Sequence, residues 1–167
     1  DGDTRRPRVH GIFEVPNDAG LTDLLKPGDG DWKKLIHEPG IPGLWVLPAG
    51  PGVAAPSHLL YSKKLQAALE WFREEFDLIV IDSPPMLQIP DARLFGKMAD
   101  GVVLVVRANS TTRDAALAAR MRLKEDGVKL IGTVMNDWDP KESPGGYYGS
   151  YGKYSSYRNY YSNQAAT

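Results

Sequence analysis

Three runs of apolar residues constrain this chain most. They are Leu78-Ile-Val-Ile81, Val102-Val-Leu-Val-Val106 and the largely apolar Val128-Lys-Leu-Ile-Gly-Thr-Val-Met135. A strand with one wet face alternates apolar and polar residues, whereas a strand buried on both faces does not. Helical periodicities separate the runs. Leu65, Leu69, Phe72 and Phe76 recur at intervals of three and four, which predicts a helix of about 18 residues starting at a Ser57 cap, with Glu70, Arg73 and Glu74 outward. Asp91 is expected to cap a short helix holding Leu94, Phe95 and Met98. A third helix is expected from Thr111, with Asp114 completing a partial capping box, an inner side of Ala115, Leu117, Ala118 and Met121, and an end at Gly127. Strands alternating with helices predict an α/β fold: a mostly parallel sheet with helices on both faces, in three layers.

Ahead of this pattern the chain is more broken. Arg5, Arg6, Arg8 and His10 make the opening basic, and Gly20-Leu-Thr-Asp-Leu-Leu25 reads as a short helix stopped by Pro27 and Gly28. Leu35-Ile36 and Leu44-Trp-Val-Leu47 read as two short strands around a Pro/Gly turn, and residues 49–57 as a loop. The 167 residues carry a net charge of −1, so no overall field favours nucleic acid. There is no cysteine, which excludes a disulfide framework and thiolate chemistry and fits a reducing compartment. No apolar run approaches the roughly 20 residues of a membrane span, and no signal peptide is visible. With no initiator Met, the sequence is expected to be a piece of a longer protein.

Beyond residue 137 the apolar periodicity stops. Pro140, Pro144, Gly145 and Gly146 read as a hinge, followed by Tyr147, Tyr148, Tyr151, Tyr154, Tyr157, Tyr160 and Tyr161, seven of the chain's eight tyrosines. Gly, Ser, Asn, Lys and Arg space them, so they have no apolar neighbours to bury with. One domain over 1–137 and a flexible tail over 138–167 are expected. Exposed phenols on a flexible leash suit phosphorylation, which would swing the tail by roughly −10 to −14 charges; weak self-association of an aromatic-spaced segment is the other use of such a composition.

Asp82 ends the first apolar run and precedes Ser83-Pro84-Pro85. Ligands of open α/β sheets sit beyond the carboxyl ends of the strands. A carboxylate there can hold a hydrated Mg²⁺ beside phosphates, the arrangement of a Walker B strand, although a loop or cap carboxylate would look the same. Asp1 and Asp3, one residue apart, could share metal and general-base duty at a strand end. Asn136 ends the third strand, where an amide can meet a purine edge, and Arg107, with Asn109, ends the second and opens a loop toward the same edge; a turn residue and a solvated arginine are the plainer readings. His10, His37 and His58 show no metal-ligand spacing. Trp32, Trp45, Trp71 and Trp138 read as packing residues.

In order, Asp1-Gly-Asp-Thr-Arg-Arg-Pro-Arg8, Gly20-Leu-Thr-Asp-Leu-Leu25, Leu47-Pro-Ala-Gly50, Ser57-His-Leu-Leu60, Phe76-Asp-Leu-Ile-Val-Ile-Asp-Ser-Pro-Pro85, Asp91-Ala92, Gly132-Thr-Val-Met-Asn136 and the tyrosine cluster resemble the bacterial tyrosine kinases (BY-kinases). These are the cytoplasmic autokinase domains of polysaccharide co-polymerases. The resemblance covers essentially the whole chain. It implies a P-loop NTPase-like kinase domain using ATP and Mg²⁺. The Walker A-prime segment maps onto Asp1 and Asp3, with Asp1 the partner of the tyrosine hydroxyl. Walker B maps onto Asp82, with Asp3 and Asp82 holding Mg²⁺ partly through water. Asn136 lies near the adenine, as in the related partitioning ATPases, and the tail tyrosines are the phosphoacceptors.

By the same resemblance the Walker A loop, with its Gly-rich amides, Lys and Ser/Thr, its strand and the helix after it, should lie upstream of Asp1. This piece alone is then expected to be silent and its sheet incomplete. His58 stands where the family usually has an acidic residue tied to subunit packing. The implied partners are other copies in a ring, with each tail docking at a neighbour's site, and a membrane-anchored co-polymerase region, fused or separate, at the inner face of the membrane. The implied role is control of exopolysaccharide or capsule synthesis and export. Two rival readings share parts of the pattern: a regulatory ATPase of the chromosome-partitioning or division-site type, and a non-catalytic regulator of polysaccharide chain length.

Overall fold

The computed structural model describes residues 1–27, 31–51 and 57–139. The chain opens on an acidic turn that runs into a single helical turn, α1 (Val9–Ile12). The next element, α2 (Leu21–Leu24), starts at Gly20, whose N–H donates to Asp23 Oδ2 at 3.0 Å. The amides of Leu21 and Thr22 donate to the carbonyls of Pro48 and Ala49 at 2.8 and 2.9 Å. The two backbones come so close that a Cβ on Gly20 would sit 2.2 Å from the Pro48 oxygen, so only glycine fits. Two short motifs far apart in sequence are thereby sewn together, and Leu21, Leu24 and Leu25 drop into the core.

The two short strands expected between residues 35 and 47 reduce to one antiparallel bridge, His37 with Val46. Pro39 and Pro42 lack the N–H groups a ladder would need, and Trp32–Leu35 forms a 3₁₀ turn instead. The helix expected from Ser57 is also shorter. A 3₁₀ turn spans Ser57–Tyr61, and α3 (Lys63–Glu75) begins after Ser62, whose Oγ accepts from the Leu65 amide at 3.3 Å. Ser62 thus supplies the cap assigned to Ser57. Leu65, Ala68 and Phe72 of α3 pack with Leu21, Leu24, Leu25, Leu60 and Phe95 as the core. Trp71 meets Trp32 and Phe72 edge-on, at centroid distances of 5.8 and 5.2 Å.

The run 78–81 is not the doubly buried strand its composition predicts. It has no strand assignment, and Leu78 and Val80 are 78% and 81% exposed. Residues 79 and 81 turn inward while 78 and 80 face out, because among the described residues no strand pairs with this segment. Next, α4 (Asp91–Met98) starts with Asp91 as its first residue, after Pro90, rather than with Asp91 as its cap.

Then β1 (Val102–Arg107), α5 (Arg113–Glu125) and β2 (Leu130–Asn136) form a βαβ unit. The strands pair in parallel, from Val103 with Gly132 to Arg107 with Asn136, after an irregularity at Val102. Thr112, not Thr111, caps α5, accepting from the Ala115 amide at 3.1 Å. The Thr111 hydroxyl accepts from the Arg107 amide instead. The inner face of α5 is Ala119 and Leu123, whereas Leu117 and Met121 are exposed. Gly127 ends the helix at φ +69°, as expected. Arg93 and Lys97 of α4 pair with Asp126, at 2.5 and 3.2 Å, and tie α4 to the end of α5. The architecture is α/β with parallel pairing, and the sheet among the described residues has two strands. The expected hinge and every tail tyrosine lie outside the described residues.

Candidate functional site

The acidic turn and the end of the 78–82 segment meet. The Gly2 N–H donates to the Asp82 carbonyl at 2.7 Å. A Cβ at residue 2 would fall 2.7 Å from that oxygen and 2.8 Å from Phe95 Cε2. Glycine is therefore what lets the turn lie flat between residue 82 and α4, with an acid on each side of it.

The two acids shape the turn themselves. Asp1 Oδ1 accepts from the Asp3 amide at 3.1 Å, and Asp1 Oδ2 from the amides of Arg8 and Val9, each at 3.1 Å. Asp3 Oδ1 accepts from the amides of Arg5 and Arg6 at 3.1 and 3.0 Å. The Asp1 nitrogen donates to the Leu47 carbonyl at 2.8 Å, which attaches the turn to the segment gripped by α2. Asp1, Gly2 and Asp82 also edge an apolar cavity of about 470 Å³, walled by Leu47, Phe72, Phe76, Ile79 and Phe95 among others.

Hard carboxylate oxygens suit Mg²⁺, which takes one or two carboxylates, keeps waters and shares phosphate oxygens. Among the described residues no three acidic or histidine side chains close into a metal cage. The donor set therefore fits an ion shared with a phosphate ligand rather than one held by protein alone. Asp82 is exposed, so its carboxylate can meet a hydrated ion.

Arg107 and Asn136 come together as a second group. They are partners in register at the carboxyl ends of β1 and β2. Arg107 Nε and Nη2 reach Asp137 Oδ2 at 2.9 and 2.8 Å, and Asn136 Oδ1 accepts from the Asp137 amide at 2.9 Å. Asn109 and Asp137 both hold left-handed backbone, at φ +57° and +59°.

Sequence reading missed three contributors. Phe95 looked like an ordinary core residue, yet it is the floor under Gly2. Asp137 drew no reading of its own, yet it holds Arg107. Asp91 looked like a cap, yet its Oδ2 lies 3.6 Å from Arg5 Nε and the residue is 2% exposed. A cap and a buried ion-pair partner share one sequence signal, an acid at a helix start, so the sequence could not separate them.

No protein-family model matches the chain. It is 34% identical over 151 residues to tyrosine-protein kinase YwqD of Bacillus subtilis (strain 168), covering 90% of this chain and 63% of that one. It is 35% identical over 138 residues to tyrosine-protein kinase ptk of Acinetobacter johnsonii, covering 82% of this chain and 19% of that one. Among solved structures, the kinase domain of Escherichia coli tyrosine kinase ETK superposes with a TM-score of 0.76 at 33% identity, over 81% of this chain and 53% of that one. The chain thus spans less than two thirds of each of these relatives. On identity of a third or more along at least four fifths of its length, and on this superposition, the chain belongs to the bacterial tyrosine kinase family.

Proposed function

We propose that the full-length protein is an ATP-dependent protein-tyrosine autokinase. It phosphorylates its own C-terminal tyrosine cluster in trans and so regulates synthesis and export of an exopolysaccharide or capsule. The supporting observation is the Gly2 N–H bond to the Asp82 carbonyl, which brings the Asp1–Asp3 pair against the residue expected to serve as Walker B. In this reading residues 1–137 belong to the kinase domain and 138–167 carry the acceptors.

Phosphoryl transfer asks for positioning and charge neutralisation more than for covalent chemistry. Mg²⁺, when bound with ATP, neutralises charge on the β- and γ-phosphates; Asp3 and Asp82 are the residues that would hold it, partly through water. Asp1 is fixed by three backbone N–H groups, which uses most of a carboxylate's roughly four lone-pair positions. A carboxylate so occupied is better suited to orienting a phenol than to keeping its proton. Gly2, packed on Phe95, holds the two acids at a set spacing. Arg107 and Asn136, steadied by Asp137, are the proposed nucleotide contacts at the strand ends.

The 167 residues contain no Gly-x-x-x-x-Gly-Lys-Ser/Thr loop, so the activity is assigned to the longer protein. Ring-like homo-oligomers, with a tail reaching the neighbouring site, and a membrane-anchored co-polymerase region at the inner face of the membrane complete the proposal. Among the described residues no helix is long and apolar enough to cross a membrane.

The test is phosphotyrosine content of the full-length protein after incubation with Mg·ATP. Asp82→Asn is expected to lower the labelling rate by roughly 100-fold. Replacing the seven tail tyrosines by Phe should abolish labelling. Steady ATP hydrolysis with no phosphotyrosine would instead mark a regulatory ATPase.

A further inference from the structure

We infer that Asp91 is a positioning residue for the acidic turn: it holds Arg5, and through Arg5 it sets the carboxylate of Asp3. The inference deepens the kinase reading above and rests on it.

The starting point is an unusual burial. Asp91 is 2% exposed, and a carboxylate taken out of water needs a partner. It does not find that partner in its own helix. The first-turn amides of Arg93 and Leu94 donate to the Pro90 carbonyl, and among the described residues Asp91 Oδ1 accepts no hydrogen bond. Among the described residues its ionic partner is Arg5, with Nε 3.6 Å from Asp91 Oδ2. A role as a helix cap therefore does not account for the residue, whereas a grip on the acidic turn does.

That grip leads directly to the proposed metal-binding acid. The Arg5 amide is one of the two donors to Asp3 Oδ1, and the Arg6 amide is the other. Fixing the Arg5 side chain from below fixes the backbone that aims Asp3. One helical turn along α4, Phe95 supports Gly2, so the same helix meets the turn at two points four residues apart. Thr4, between the two contacts, is itself 2% exposed, and its Oγ1 finds no hydrogen-bond partner among the described residues. The turn is pressed onto α4 tightly enough to bury a hydroxyl unpaired, which packing alone would not select. An ion pair at the turn's centre supplies a reason for that placement.

The experiment uses the full-length protein with Asp91→Asn, Arg5→Gln and the double variant. Mn²⁺ affinity is read by electron paramagnetic resonance in the presence of ADP, and hydrogen exchange is read at the Arg5 and Arg6 amides. Asp91→Asn keeps the side chain's shape and is expected to weaken Mn²⁺ binding by about 10- to 100-fold, the range found when the partners of metal ligands are changed. Arg5→Gln should do the same, and the double variant should be no weaker than the worse single one, because the two residues act along one path. Both variants should speed exchange at Arg5 and Arg6 while α5 amides stay protected.

Independent, multiplying losses in the double variant would overturn the inference. So would Mn²⁺ affinity and amide protection that stay at wild-type values. If the wild-type protein bound no Mn²⁺ with ADP, the magnesium-site reading would fall, and the exchange data alone would decide the role of Asp91: faster exchange upholds it, unchanged exchange refutes it. If Asp91→Asn failed to fold, Arg5→Gln, a change at an exposed side chain, would decide by the same two measurements.

Discussion

Asp126 shows how much one side chain's surroundings matter at the scale of the residue. The Arg93 hydrogen bonds, aided by Lys97, hold its carboxyl down at about 2, against an ordinary 3.8. A folded-state pKa below the unfolded one adds stability above the unfolded value and loses it as pH falls through the folded value. Wild type and Asp126→Asn should therefore differ in Tm near neutral pH, with the variant lower. The gap should close as pH drops from about 4 to about 2; thermal melts across that range check it. Gly2 gives a second prediction. A methyl group there meets the Asp82 carbonyl and the Phe95 ring. Gly2→Ala should cost about 1–3 kcal/mol by overpacking and also lower the phosphotyrosine labelling rate, since the turn must lift away from residue 82. A stable variant with wild-type labelling would show that this contact sets neither property.

Caps decided boundaries at the scale of the element, and they did so against the hydrophobic pattern. The period of Leu65, Leu69, Phe72 and Phe76 located α3 correctly, but periodicity says nothing about which Ser begins the helix. Ser57 and Ser62 both fit the sequence, and it is Ser62 whose hydroxyl meets the Leu65 amide at the start of α3. Thr111 and Thr112 posed the same choice, and the neighbour that lost the cap was taken up by Arg107. Ser62→Ala should destabilise the protein by about 1 kcal/mol, read as a lower denaturant midpoint at unchanged slope. Ser57→Ala should leave that midpoint in place. The strand over 78–81 failed for a different reason. A run of branched apolar residues reports what a segment needs, whereas burial depends on a partner elsewhere. Leu78 and Val80 are exposed because the described residues do not supply one.

The whole molecule carries more uncovered apolar surface than a parallel sheet tolerates. Val103, Val105 and Ile131 on the strand pair join Leu78 and Val80 among the exposed large residues. The 167-residue chain by itself should bind a hydrophobic dye such as ANS and self-associate, and a longer chain that covers these faces should do neither. Equal dye binding by both would show the faces remain open. The α/β class and the βαβ unit were legible in the sequence because each has a local signature: an apolar run and a 3.6-residue period. The Gly20 clasp on residues 48–50, the Phe95 floor and the Asp91–Arg5 pair were not legible. Each depends on two segments meeting, and a single sequence does not record meetings.

One such meeting reaches across the molecule. A single eight-residue helix, α4, grips the acidic turn with Asp91 and Phe95, and holds the end of α5 with Arg93 and Lys97. Its Gly96 packs closely against the start of the strand pair, where a Cβ would stand 3.3 Å from Val102 and 3.4 Å from Val128. The acidic turn and the βαβ unit thus lean on one common support, and a residue changed on that helix stands to disturb both.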